Sequence, residues 1–218
     1  MDKARFMGRM AATLSHDLCN VLATIQQASG LLGDYLSLAR KESLKSMGLR
    51  PKFKYNDKFE EIITQVQSSV ARGQDMCEHL SHLAHSPDEG QDGSDLNFSV
   101  RLLVQLSGRI AKKHKLTLEV GQAPVAVLAQ PSQIEVLVVL EAALLGITWR
   151  CREQGSVRLV PGDDGDDRVY VDIMCQALDA GEAQSLAKSL TGDKPGLLAA
   201  EALEGGVRLA FCKAGREA

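Results

Sequence analysis

His16, Asp17 and Asn20 are the residues of this chain whose types and spacing best suit chemistry. A neutral imidazole nitrogen is nucleophilic near physiological pH and can carry a phosphoryl group. A carboxylate beside it can accept the other ring N–H and fix the tautomer, which is the role read for Asp17. An amide four residues on, at Asn20, can orient an attacking group or a water. Ser15 reads as a small residue that leaves space, not as a nucleophile. By itself an exposed helical histidine is most often only a surface residue, so the weight falls on what surrounds it.

The surroundings are a long amphipathic helix. From Lys3 to about Arg40, apolar residues fall at Met7, Ala11, Leu14, Leu18, Val21, Ile25, Ala28, Leu32 and Tyr35. Steps of four and three alternate throughout, the signature of a coiled-coil or bundle seam. His16 lies midway between Leu14 and Leu18, where a side chain points away from the seam. Ala12 and Ala23 keep its neighbourhood small enough for a partner to approach. Lys41 to Asn56 is a basic connector with Gly48 and Pro51, part of which can continue the helix. Asp57 is a candidate N-cap for a second helix over Lys58–His85, in which Gly73 leaves room for a bend. Two such helices form an antiparallel hairpin that cannot cover both of its apolar faces. Pairing two hairpins into a dimeric four-helix bundle covers them, so a homodimer is expected.

Ser86 to Ser94, with Pro87, Gly90 and Gly93, reads as a linker. It divides the chain into a hairpin at 1–87 and a second domain at 95–218. The second part changes period. Leu96–Lys113 reads as a helix, Lys115–Val120 and Val125–Leu128 as strands, and Ser132–Cys151 as a strongly apolar helix. Val157–Val160 and Val169–Met174 read as a hairpin around Gly162-Asp163-Asp164-Gly165. Helices are expected over Ala180–Leu190 and near Pro195–Ala202, then a last strand over Val207–Cys212. The fold class expected is α+β, with helices on one face of a mixed sheet.

Composition narrows the function classes. Apolar residues make up 44% of the 218, enough for a folded core, and aromatics are only 4%, which suits helix packing. The net charge of -3 and the pI near 6.0 give no reason to expect nucleic acid as a partner. No apolar run approaches the ~18 residues of a membrane span, and the first residues lack a signal-peptide core. The expectation is a cytoplasmic protein with no membrane partner. Cys19, Cys77, Cys151, Cys175 and Cys212 form no CxxC pair and are expected as buried free thiols.

Other groupings weigh less. His79, His82 and His85 recur every three residues, but no carboxylate or cysteine stands at a convincing offset, and cations suit a helix C-terminus. Arg50, Lys52, Lys54 and Lys58 read as a solvated basic stretch. Asp163-Asp164-Gly165-Asp166-Asp167 fits a hairpin turn better than a calcium loop.

The stretch Met10-Ala11-Ala12-Thr13-Leu14-Ser15-His16-Asp17-Leu18-Cys19-Asn20-Val21-Leu22-Ala23-Thr24-Ile25 closely resembles the H-box of sensor histidine kinases, of the form A-H-D-x-x-N-x-L-x-x-I. That resemblance implies that His16 is the phosphorylated histidine, Asp17 its acidic helper and Asn20 a residue of phosphatase or transfer chemistry. Gln130-Pro131-Ser132-Gln133-Ile134-Glu135-Val136-Leu137 is similar to the D-P-x-Q-L-x-x-V-L opening of the N-box in the Bergerat-type ATP-binding domain of those kinases. The element order after residue 95 is similar too.

The catalytic content of that domain departs from the pattern. The magnesium-holding asparagine would fall at about Leu144, and a hydrocarbon offers a metal no ligand. No D-x-G-x-G stands near Cys175-Gln176-Ala177-Leu178-Asp179, and only Thr191-Gly192-Asp193-Lys194-Pro195-Gly196-Leu197-Leu198 stands where a glycine-rich lid would be. The whole resembles the ChpT-type histidine phosphotransferases, dimeric kinase-like relays with a degenerate ATP domain. The resemblance implies no ATP or other cofactor, no metal held by this chain, and response-regulator receiver domains as partners, with magnesium in the receiver. Three alternatives stay open: an active sensor kinase with divergent nucleotide boxes, a non-catalytic dimeric regulator-binding module, and a receiver phosphatase in which Asn20 positions water.

Overall fold

The computed structural model describes residues 3–45, 55–85, 93–121, 123, 125–151, 155–165, 167–191 and 196–215. Arg50, Lys52 and Lys54, linker residues 86–92, Asp166 and loop residues 192–195 lie outside that set. Two compact units are present. One is Ala11–Leu80; the other joins the residues up to Met10 with Ser81–Ala218.

The first unit is a helical hairpin. Helix α1 runs Lys3–Lys45 and helix α2 runs Asn56–His85. Helix α1 continues past Arg40 into the connector because Lys41-Glu42-Ser43-Leu44-Lys45 contains no breaker, and Glu42 accepts a hydrogen bond from the Tyr55 hydroxyl at 2.9 Å. Helix α2 starts at Asn56, one residue before the expected cap, so Asp57 sits in its first turn, where the helix dipole still favours a carboxylate. The helices are antiparallel. Tyr35 packs against Tyr55 and Phe59, with ring centroids 5.5 and 6.3 Å away, while Leu18 and Val21 approach Gly73 in the second half of α2. The expected bend at Gly73 is not its role. Helix α2 continues through it, and a Cβ there would lie 3.2 Å from the Val21 side chain, so glycine permits close approach of the two helices.

The second unit is mixed α+β. Strand β1 (Ser94–Asp95) leads into helix α3 (Leu96–Lys113), whose N–H at Asn97 is capped by Asp95 Oδ1 at 2.8 Å. Helix α3 stops where Lys115 takes a left-handed backbone, φ 59°. Strand β2 (Leu116–Val120) follows. The strand expected at Val125–Leu128 is only β3, Leu128–Ala129, because its partner β1 ends where α3 begins. Helix α4 (Gln133–Arg150) is buried along most of its circumference, as its continuous apolar character requires.

Strands β4 (Gly155–Asp163) and β5 (Arg168–Cys175) form the expected hairpin. Helix α5 (Ala180–Leu190) precedes strands β6 (Leu197–Leu203) and β7 (Gly206–Cys212). The five-stranded sheet has the order β2-β4-β5-β7-β6, parallel only between β2 and β4. Helices α3, α4 and α5 pack on it. Val169, Val171, Ile173 and Cys175 turn inward into the core, alternating with the more exposed Arg168, Tyr170, Asp172 and Met174. Among those outward-facing groups the Arg208 guanidinium binds both carboxylate oxygens of Asp172, at 2.7 and 2.9 Å, and lies 3.7 Å over the Tyr170 ring.

The helix expected near Pro195–Ala202 is instead strand β6. Leu197-Leu198-Ala199-Ala200-Glu201-Ala202-Leu203 has helical propensity, but pairing with β7 overrides it. Gly205, at φ +72°, supplies the tight turn that lets the chain fold back at once.

The beginning of α1 belongs to the sheet unit. Phe6 and Met10 are fully buried there. Lys3 Nζ pairs with Glu135 Oε1 at 3.0 Å, and Arg9 binds both oxygens of Glu141, from Nε at 3.1 Å and from its terminal nitrogen. Among the described residues no helix is long and apolar enough to cross a membrane.

Candidate functional site

The segment around His16 is helical because Ala11, Ala12, Leu14, Leu18, Leu22 and Ala23 are strong helix formers and nothing interrupts them. Leu14 and Val21 are buried in the hairpin, so the helix is rotationally fixed and His16 emerges on the opposite side. Its side chain is 52% exposed and that of Asp17 is 26% exposed. Ala12, Ser15, Cys19 and Ala23 around it are exposed and small.

Asp17, Asn20 and His16 come together at one atom. Asn20 Nδ2 lies 3.0 Å from His16 Nδ1, and Asp17 Oδ1 lies 3.4 Å from the same nitrogen. The roles of ring nitrogens and amide atoms follow from the protonation pattern. If Nδ1 carries the proton, it donates toward Asp17, and Nε2 keeps its lone pair for nucleophilic attack. If Nδ1 accepts from the Asn20 amide, the proton sits on Nε2. Asn20 was expected to orient an attacking group; its amide contacts the histidine ring. Thr24 Oγ1 donates to the Asn20 carbonyl at 2.9 Å, steadying the turn that carries the amide.

Ser15 borders a cavity of about 270 Å³ within the hairpin unit, lined also by Ala11, Leu14, Leu18, Met76, Cys77 and Leu80. Leu22, Leu31, Leu36, Leu38, Ile63, Val70 and Leu80 are exposed on the same unit. On α1 these leucines lie beside the expected seam, whose Leu14, Val21 and Ala28 are buried and whose Leu18, Ile25, Leu32 and Tyr35 are half-buried, so the hairpin carries apolar surface beyond the face that its own two helices cover.

In the sheet unit, Leu144 is buried at 2% exposure on α4, among Leu140, Ala143 and Ile147. The acid nearest the expected adenine-reading box, Asp179, is the N-cap of α5 and accepts from the Glu182 N–H at 2.7 Å. Two aspartates of the β4–β5 turn, Asp163 and Asp164, stand in ion pairs. Lys213 Nζ lies 2.6 Å from Asp163, whose carboxyl it holds below its usual range, and Arg208 lies 3.6 Å from Asp164. Among the described residues no group of three or more His, Cys, Asp and Glu is placed to hold a metal ion. The His82 ring packs against Phe98, with centroids 5.1 Å apart.

Two relationships were not foreseen from the sequence. Glu141 is a buried acid inside an apolar helix, and that isolation was the available signal that a cation must reach it. The cysteines also divide differently from expectation. Cys19 and Cys77 are exposed, Cys212 is half-buried, and only Cys151 and Cys175 are buried.

No protein-family model matches the chain, and no curated protein matches it. Several solved structures resemble it. One is a bacterial phosphotransferase, 13% identical, covering 96% of this chain and 97% of that one, with a TM-score of 0.43. Another is histidine kinase ThkA in complex with response regulator protein TrrA, 13% identical, covering 98% of this chain and 63% of that one, with a TM-score of 0.40. The catalytic domain of ThkA alone is 17% identical and covers 57% of this chain and 96% of that one, with a TM-score of 0.40. Similarity at this level establishes neither a shared activity nor a shared partner.

Proposed function

We propose that this chain is a histidine phosphotransferase of a two-component phosphorelay, similar to the ChpT-type proteins, that moves phosphoryl groups between His16 and receiver-domain aspartates. The observation that carries this reading is the outward-facing His16 imidazole with Asp17 and Asn20 gathered at Nδ1. With Nδ1 protonated toward Asp17, Nε2 attacks the phosphorus of an aspartyl phosphate in line. The N–P bond forms as the bond from phosphorus to the carboxylate oxygen breaks. A second receiver's aspartate reverses the step. Magnesium belongs to the receiver, where it neutralises charge on the transferring group. This chain contributes the nucleophile and its position.

Burial of Leu144 in the apolar interior and use of Asp179 as a helix cap support a phosphate source other than bound ATP. The exposed leucines of the hairpin support assembly as a homodimer whose hairpins pair into a four-helix bundle. The reading proposes no cofactor for this chain. Incubation with γ-labelled ATP, alone and with a panel of phosphorylated receivers, tests it. Acid-labile label from ATP alone would favour a kinase. Label acquired only from a receiver supports the phosphotransferase. Dephosphorylation of a receiver by a His16→Ala variant at the wild-type rate would favour a phosphatase.

A further inference from the structure

Cys151 closes α4 as its C-cap, with its N–H donating to the Ile147 carbonyl at 2.8 Å. Cys175 ends β5, with its N–H donating to the Gly205 carbonyl at 2.7 Å and its own carbonyl accepting from Leu178 at 3.0 Å. Both backbones are tied down, and both side chains are buried, at 6% and 1% exposure. Their sulfurs lie 2.8 Å apart. A disulfide bond is about 2.0 Å long, so closing the gap needs about 0.8 Å of relative movement of the two sulfurs. Neither residue has a place in the phosphoryl chemistry proposed for His16.

We propose that Cys151 and Cys175 are a two-electron dithiol–disulfide site that reacts with small-molecule disulfides such as oxidised glutathione. Cys151, the more accessible of the two, attacks first as the thiolate. The sulfur–sulfur bond of glutathione breaks, one glutathione leaves as the thiol, and a mixed disulfide remains on Cys151. Cys175 then displaces the second glutathione and closes the internal bond. Two protons and two electrons pass to glutathione, giving two molecules of its thiol. Burial pushes the Cys151 thiol up to about 12, with the Cys175 sulfur beside it adding to the rise. Thiolate is therefore scarce and formation is slow. The same burial slows attack on the finished bond by reducing thiols, so exchange is slow in both directions. The closed loop spans 24 positions and ties the end of α4 to the end of β5.

The test uses the full chain with Cys19, Cys77 and Cys212 changed to Ser, equilibrated in glutathione buffers from fully reduced to fully oxidised. After acid quenching, thiols are alkylated under denaturing conditions and counted by intact mass. The expected result is joint loss of both thiols with no retained glutathione, and a cross-linked peptide pair containing Cys151 and Cys175. The oxidised form is expected to melt about 5 °C or more above the reduced form. Cys175→Ser in the same background should give no cross-link and no such rise. The wild-type chain should yield the same peptide pair, so the outcome does not depend on the triple variant. Two alkylatable thiols in every buffer, or thiols that stop at separate glutathione adducts, would overturn the proposal.

Discussion

Asn20 Nδ2 lies 3.0 Å from His16 Nδ1, the same ring nitrogen that Asp17 Oδ1 approaches at 3.4 Å. The two neighbours ask for opposite tautomers. Asp17 stabilises a proton on Nδ1; the Asn20 amide, donating, stabilises a proton on Nε2. A hydrogen bond of this kind is worth about 1 kcal/mol net, or roughly a fivefold change in tautomer ratio. Asn20→Ala is therefore expected to shift the tautomer ratio toward Nδ1–H by about that factor and Asp17→Asn to shift it the other way, read from ring ¹⁵N shifts. Phosphoryl acceptance should follow the Nδ1–H fraction. Equal ratios in all three proteins would show that neither side chain sets the tautomer.

Leu144→Asn restores the residue type that the kinase resemblance places there, yet it puts an amide into an apolar interior. Burial without partners and the lost packing should cost about 2–4 kcal/mol. Urea unfolding checks this, and a nucleotide-binding assay on the variant should stay blank. A variant as stable as wild type would mean that a polar partner or water reaches position 144.

Arg9→Ala leaves Glu141 buried without its cation. Removing one partner of such a pair costs about 3–5 kcal/mol, and Arg9→Met with Glu141→Met should recover most of it. Burial outweighs the hydrogen bond and charge from Arg9, so the Glu141 carboxyl titrates above its usual range. A carboxyl raised on folding contributes most below its unfolded value, and that contribution is lost as pH rises through the folded one. The Arg9→Ala penalty should therefore be larger at pH 8 than near pH 4. Denaturation at the two pH values decides it, and a pH-independent penalty would go against an ionised Glu141.

Glu135 behaves in the opposite sense. Burial alone would raise its carboxyl, but hydrogen bonds from Lys3 and from the Ser132 side chain and backbone together hold it below the usual range. Its contribution is present above the unfolded value and lost as pH falls through the folded one. Glu135→Gln is expected to cost about 1 kcal/mol at pH 7 and little once the wild-type carboxyl is protonated. Thermal melts across the acid limb measure the difference.

Lys115 holds a left-handed backbone that a side chain resists by about 1–2 kcal/mol. Lys115→Gly relieves that strain but gives the unfolded chain more freedom. A net gain of about 0.5–1 kcal/mol is expected in the urea midpoint at unchanged slope.

The elements legible in the sequence were those with a long period or a long apolar run. The four-three spacing from Met7 to Tyr35 showed the first helix, and the apolar stretch from Ser132 to Cys151 showed α4. Strand β6 was not legible, because Ala and Leu report helix propensity while its conformation comes from pairing with β7. Of the site, the histidine, acid and amide were visible as a motif. Their shared approach to one ring nitrogen was not, since spacing places residues on a face but does not choose rotamers. The close approach of Cys151 and Cys175, 24 positions apart, depends on tertiary packing that local patterns do not carry.

Everything proposed for this chain turns on a phosphoryl group reaching His16 from a receiver. The direct measurement is to mix the full chain with a phosphorylated receiver, without ATP, and follow intact mass and ³¹P resonance over time. One added phosphoryl group per chain is expected, acid-labile, with a phosphohistidine resonance. It should disappear in His16→Gln and return to a second receiver on addition. Label that persists in His16→Gln, or receivers that lose phosphate only to water, would contradict it.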